Sequence, residues 1–174
     1  MEYEIKQVEK FRFIEEGEGE PLILLHGLFG ALSNFKDLIE YFRHYNKVIV
    51  PILPLFDLDL LHTSVGGLQK FVHKFIENRN YQGIHLLGNS LGGHVALVHV
   101  LKYPERIKSL ILTGSSRLFE NGMGDTYPKR GDYEYIKKKT ELTFYDPQTA
   151  TKELVDEVYE TVNIRMKAIK IIAL

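Results

Sequence analysis

The chain has 174 residues, 44% of them hydrophobic and 26% charged, with a net charge of -1. That is enough length and apolar content for a domain with a real core, and the near-neutral balance gives no electrostatic case for nucleic acid or an anionic membrane as partner. The absence of cysteine excludes disulfides, a cysteine nucleophile and thiolate metal sites.

The start, Met1-Glu2-Tyr3-Glu4, is acidic and has no signal-peptide core, which together with the missing cysteines predicts a cytoplasmic chain. No apolar run is long enough to span a bilayer. Residues 3 to 14 alternate loosely through Tyr3, Ile5, Val8, Phe11, Phe13 and Ile14, the pattern of one or two antiparallel edge strands. The Glu/Gly run from Glu15 to Glu20 predicts a turn. Leu22-Ile23-Leu24-Leu25 is continuously apolar, as a strand buried on both faces must be. It runs into His26-Gly27-Leu28-Phe29-Gly30, a glycine-containing loop where an α/β sheet places ligand-facing backbone.

Ser33 is a candidate N-cap for a helix over 34–42. Lys47 to Val50 reads as the next strand, stopped by Pro51. An apolar, proline-bearing loop with Asp57, Asp59 and His62 follows. Ser64 is placed to cap a helix whose apolar residues Leu68, Phe71, Val72, Phe75 and Ile76 form one face at i, i+3, i+4, i+7 and i+8. Ile84 to Leu87 is a further strand. The helix after Ser90 is apolar nearly all round and is expected to be buried. Tyr103-Pro104 ends it, and a buried strand is expected within 107–113. Beyond Gly114 the composition turns polar and aromatic. Asp146-Pro147 has the form of an N-cap with proline at the first helical position. Leu154, Val155, Val158, Tyr159 and Val162 mark a helical face, and a last helix is expected over 165–174. Strand–helix alternation through residue 113 predicts a mostly parallel sheet with helices on both faces over 1–114, followed by an all-helical cap over 115–174.

The chemistry centres on Gly88-Asn89-Ser90-Leu91-Gly92-Gly93. Gly-x-Ser-x-Gly between strand and helix is the spacing of a nucleophile elbow. The serine takes a strained conformation so that its hydroxyl projects clear of the sheet. Gly88 and Gly92 leave room for the close strand–helix approach. The first N–H groups of the new helix point at the same spot, with the positive end of its dipole.

His26-Gly27-Leu28-Phe29-Gly30, the elbow, and Tyr103-Pro104-Glu105-Arg106-Ile107 together resemble the α/β-hydrolase fold family, in particular its small serine esterases. The resemblance covers about residues 10 to 114 well. It implies a three-layer α/β sandwich and makes Ser90 the nucleophile. It places the oxyanion hole at the backbone N–H of Leu91 and that of Leu28 or Phe29. It makes His26, beside Gly27, a structural histidine anchoring the loop. It implies a small-molecule acyl substrate and no cofactor, and no histidine and carboxylate pair in the sequence has the spacing of metal ligands. The family's acid and histidine follow the serine in chain order, past the cap. Here no histidine occurs after His99, so the usual acid and base are absent and the chain is expected to be truncated after the helical cap.

As substitutes, His94 and His99 lie on the helix after the nucleophile, where side chains pack rather than face the hydroxyl. His62, with Asp57 and Asp59, follows a strand on the wrong side of the nucleophile strand. His73 and His85 read as helix-face and strand histidines, and Asp125 and Asp132 as cap surface. Phe29, Phe56, Leu118, Phe119 and Met123 are candidates for an acyl pocket.

Three readings follow. The chain is an incomplete, weakly active piece of a serine esterase acting through an acyl-enzyme on Ser90. Or it is a ligand- or partner-binding protein on a hydrolase scaffold. Or it runs another chemistry on the same fold, such as carbon–carbon bond hydrolysis or a lyase reaction. Self-association is expected in the first case, through an exposed sheet edge or exchange of the segment from Asp146 to Leu174.

Overall fold

The computed structural model describes residues 3–29, 33–115 and 129–174. The chain divides into two compact units, Met1–Phe119 and Glu120–Leu174.

The first unit is built on one six-stranded sheet. In chain order its strands are β1 (Lys6–Val8), β2 (Phe11–Glu16), β3 (Glu20–Leu25), β4 (Asn46–Pro51), β5 (Ile84–Asn89) and β6 (Ile107–Thr113). Their spatial order is β1-β2-β4-β3-β5-β6. β1, β2 and β4 pair antiparallel, whereas β4, β3, β5 and β6 run parallel. The Glu/Gly run makes a tighter turn than its composition implied. Glu15 and Glu16 stay in β2, and Glu20 opens β3.

Alternation along the strands divides the core into two layers. Ile14, Leu22, Leu24, Val48, Val50 and Leu87 pack with Phe35 and Ile39 from the α1 region (α1, Lys36–Phe42). On the other face, Phe11 and Phe13 stack against Phe71 and Phe75 of α2 (Val65–Asn78), with ring centroids 5.2 to 5.6 Å apart. Helices on both faces of a mostly parallel sheet make this a three-layer α/β sandwich. α2 keeps its expected face: Leu68, Val72, Phe75 and Ile76 are buried, each contributing about 1.5–3 kcal/mol relative to an exposed position. Ser64 caps it, its side chain accepting from the Gly67 N–H.

Three expectations in this unit are corrected. α1 starts at Lys36 behind a 3₁₀ turn over Ser33–Phe35, so Phe35 holds the cap position and no side chain caps the helix. α3 (Leu91–Lys102) is buried along one flank only. Leu91, Val95, Ala96 and His99 are covered, but Leu97, Val98 and Val100 are half-buried and Leu101 is 76% exposed. β6 is not a buried strand. Among the described residues it has β5 on one side and no strand on the other, so none of its residues is fully buried and Ile111 is 42% exposed.

α2 and α3 meet at a seam of imidazoles. His73 stacks on Tyr103 with ring centroids 3.7 Å apart, and the Gln69 amide lies 3.4 Å from Nδ1 of the buried His99. Burial, with a smaller push from His73, drives the His99 pKa down to about 4. An unfolded chain protonates the same ring near 6.5, so it binds more protons than the folded chain between those values. Stability is therefore full above pH 6.5 and falls as pH drops toward 4, by up to about 3 kcal/mol from this group. The buried His26, whose pKa is also lowered, acts in the same direction. Urea midpoints at pH 7, 5.5 and 4.5 should fall steeply for the parent chain and less steeply for His99→Gln. Parallel declines in the two chains would remove His99 from this account.

The second unit is helical over its described residues: α4 (Tyr133–Glu141), α5 (Lys152–Asn163) and α6 (Arg165–Ala173). Ile136, Val155, Val158, Val162 and Ala168 are its buried apolar residues. Asp132 caps α4, accepting from the Tyr135 N–H. Asp146-Pro147 does cap a turn, but only the short 3₁₀ turn Pro147–Thr149. α5 begins afresh at Lys152 with Thr151 accepting from the Leu154 N–H. Two capping residues five apart end the first turn before it becomes an α-helix.

Candidate active site

β5 and α3 are joined at Ser90, whose backbone stands at φ 52° and ψ -119°. A non-glycine residue there costs on the order of 1–3 kcal/mol and persists only where the surroundings fix it. The surroundings are visible. The Ser90 N–H donates to the Thr113 carbonyl at 3.1 Å, and the Ser90 carbonyl accepts from the Gly93 and His94 N–H groups at 3.0 and 3.2 Å. The Asn89 amide donates to the carbonyl and hydroxyl oxygens of Thr113, both at 3.1 Å. The turn is thus clamped to the end of β6.

The glycines are required by space. A Cβ on Gly88 would stand 2.5 Å from the Gly92 carbonyl oxygen, and one on Gly92 would stand 2.1 Å from the Leu25 oxygen and 2.6 Å from that of His26. Gly93 belongs with them, since a Cβ there would meet Ser115 Oγ at 2.6 Å. Helix α3 therefore rides directly on the end of β3, where the His26 loop begins.

That loop reaches the serine. A side chain on Gly27 would lie 3.3 Å from Ser90 Cβ and 3.6 Å from the Asn89 side-chain oxygen. His26 is 3% exposed and is held at both ring nitrogens. Nε2 accepts from the Leu53 N–H at 3.0 Å, so Nδ1 carries the proton and donates to the Gly27 carbonyl at 2.7 Å. Burial lowers its pKa, so it is a neutral tie between the loops that follow β3 and β4. Leu28 and Phe29 are half-buried beside it, and the Asn34 amide reaches the Phe29 carbonyl at 3.4 Å. Gly30 lies outside the described residues.

The histidines from His62 onward are distributed as follows. His62 Nδ1 lies 2.8 Å from each carboxylate oxygen of Asp59, both side chains being well exposed. His73 and His99 belong to the α2–α3 seam, and His85 bonds Ser109 and Glu20. His94 is half-buried in the first turns of α3. Of the acyl-pocket candidates, Phe56 is half-buried, while Leu118, Phe119 and Met123, like Asp125, lie outside the described residues. Among the described residues no group of three or more His, Asp or Glu is placed to hold a metal ion, and no helix is long and apolar enough to cross a membrane.

Sequence spacing alone did not mark Asn89, Thr113 or the need for glycine at position 93. Asn89 occupies a variable place in the Gly-x-Ser-x-Gly pattern, and Thr113 and Ser115 reach the elbow from another strand.

The sheet order, the strained serine between β5 and α3, and the glycine packing define a hydrolase-type elbow. The family model of the alpha/beta hydrolase fold matches residues 20–143, and the chain belongs to that family. Among solved structures, an alpha/beta hydrolase enzyme from the metagenome of sediments of the Mar Chica lagoon, Morocco, is 40% identical. That match has a TM-score of 0.76 and covers 98% of this chain and 64% of that one. The 2-hydroxy-6-oxo-6-phenylhexa-2,4-dienoate hydrolase of Comamonas testosteroni is 28% identical over 171 residues, 85% of this chain and 58% of that protein. Lipase 1 of Psychrobacter immobilis is 25% identical, over 95% of this chain and 62% of its own length. The chain thus spans about three-fifths of the length of these two curated relatives.

Proposed function

We propose that this chain carries the nucleophile half of a serine hydrolase that cleaves small carboxylic esters through an acyl-enzyme on Ser90. The observation that carries the reading is the strained Ser90 backbone at the strand-to-helix turn. Ser90 Oγ attacks the ester carbonyl. The Leu91 N–H, which the helix's own carbonyls leave unused, and the N–H of Leu28 or Phe29 stabilise the oxyanion. Gly88 and Gly92 make the turn possible, and His26 and Gly27 seat the loop. The Ser90 proton goes to a base, which by the family resemblance comes later in the chain than residue 113. No histidine stands there, so the 174-residue chain is proposed as weakly active. The test is a fluorophosphonate label, mapped by peptide mass, together with turnover of p-nitrophenyl esters. An unlabelled Ser90 in a chain labelled at other residues would sink the assignment.

The likeness to the Comamonas dienoate hydrolase favours a second reading, carbon–carbon bond hydrolysis at the same serine. Comparing kcat/KM for an aryl ester and for a 2-hydroxy-6-oxo dienoate separates the two.

Self-association belongs to the same proposal for this chain. Among the described residues β6 has a strand partner on one side only, and the half-exposed Ile111 lies on it, with Leu101 on the neighbouring helix. Such an edge is a template for a second copy. Light scattering across a dilution series should show concentration-dependent dimers, with slow amide exchange over 109–113 at high concentration. A monomer at every concentration, with those amides exchanging fast, contradicts it.

A further inference from the structure

A second serine–histidine–carboxylate chain lies at the opposite end of β5 from Ser90. Ser109 Oγ is 2.8 Å from His85 Nδ1, and His85 Nε2 is 3.1 Å from Glu20 Oε2. The three residues come from three adjacent strands. Leu22 pairs with His85, and His85 with Ser109, which puts Glu20, His85 and Ser109 on one face of the sheet.

The register is a built feature. Ile84 pairs with Ile107, yet the next residue, His85, pairs with Ser109, so Lys108 is an extra residue in β6. Without that bulge Lys108 would stand opposite His85. Bulges re-aim side chains in this way and recur beside active sites. The displaced Lys108 lies over Gly83, where a Cβ would meet its Cε at 3.1 Å, and its ammonium bonds Glu20. Lys108 and then His85 hold the Glu20 carboxyl below the usual carboxylate range, so Glu20 is ionised and fixed. With the proton on Nε2 facing Glu20, Nδ1 is the lone-pair nitrogen facing Ser109. The site is open, His85 being about a third exposed and Glu20 more than half.

We propose that Ser109 is a second acyl acceptor, with His85 as its base and Glu20 orienting the ring, and that it takes the acyl group of small activated esters such as aryl acetates. Ser109 Oγ bonds to the ester carbonyl carbon while its proton passes to His85 Nδ1. The carbon–oxygen bond to the aryl group then breaks, and the departing phenolate takes that proton from His85. The products are O-acetyl-Ser109 and a phenol, with no other reagent consumed. This activity is independent of the Ser90 reading.

The experiment uses the Ser90→Ala chain, treated with p-nitrophenyl acetate and mapped for acetylated peptides over time. Acetylation of Ser109 should run about a hundredfold faster than that of Ser64, which lacks a histidine base. His85→Gln should bring Ser109 down to the Ser64 level, with the fold checked by circular dichroism. Glu20→Gln should slow it about tenfold. Equal acetylation of Ser109 and Ser64, or an unchanged Ser109 rate in folded His85→Gln, overturns the proposal. If His85→Gln fails to fold, Glu20→Gln, an exposed substitution, decides: no change in the Ser109 rate overturns it.

Discussion

Replacing Gly92 by valine is expected to unfold the first unit or to cost about 4 kcal/mol or more, at the upper end of single-substitution effects. The reason is the 2.1 Å between the position of a Cβ at residue 92 and the Leu25 carbonyl oxygen, with the His26 oxygen 2.6 Å away. Both obstacles are backbone, so no rotamer change relieves the clash. Either α3 lifts from the end of β3 or β3 shifts against β4 and β5. α2 supplies its own control. Gly66 has only Ser64 Oγ at 3.8 Å, an ordinary contact, whereas its neighbour Gly67 would meet the His62 carbonyl oxygen at 1.9 Å. Gly66→Ala should therefore stabilise by about 0.5–1 kcal/mol through helix propensity, and Gly67→Ala should destabilise. Urea unfolding of the three variants checks the set. Equal effects at 66 and 92 would show that space at the elbow is not what fixes its glycines.

Removing the Ser90 hydroxyl has the opposite profile. Ser90→Ala should cut ester turnover by about a thousandfold or more, because covalent chemistry at that atom is lost. Stability should stay within about 0.5 kcal/mol of the parent or rise slightly, as is common where strain serves function. The backbone clamps from Thr113, Gly93 and His94 do not involve the hydroxyl. A loss of several kcal/mol would instead make Ser90 a structural residue. The absent later histidine bears on the same atom. In the 174-residue chain, fluorophosphonate labelling of Ser90 should be about a hundredfold slower than in a chain extended to supply a base. Equal rates would return His94 or His62 to consideration.

What could be read from the sequence was local. Gly88, Ser90 and Gly92 announce the elbow because a sharp turn dictates residue types at fixed spacing. Leu22–Leu25 and Ile84–Leu87 announce buried parallel strands because both faces are apolar. The misreadings concern matters decided at a distance. Ile107 to Thr113 has the residue types of a buried strand, but among the described residues β6 has one strand neighbour and none of its residues is fully buried. Asp146 and Thr151 are both good caps, and only packing decides which one opens an α-helix. The Asn89–Thr113 clamp and the His85–Ser109 contact join residues 24 apart in sequence. The second of these also depends on a bulge that no periodicity reveals. Lys108, Ser109 and Leu110 look like ordinary strand until paired.

The sheet order also bears on how fast the site assembles. β3, which launches the His26 loop, lies between β4 and β5, so Leu22 pairs with Val48 on one side and with His85 on the other. The paired residues are 26 positions apart in the first case and 63 in the second. Each closure costs chain entropy before any contact repays it. Parallel topologies of this kind are slow folders. The loop, the serine turn and Gly92 meet only after the longer closure, so competence at Ser90 should appear late in refolding, after the β1–β2 hairpin and α2 have formed. A stopped-flow trace of α-helix signal should therefore run ahead of recovery of Ser90 labelling.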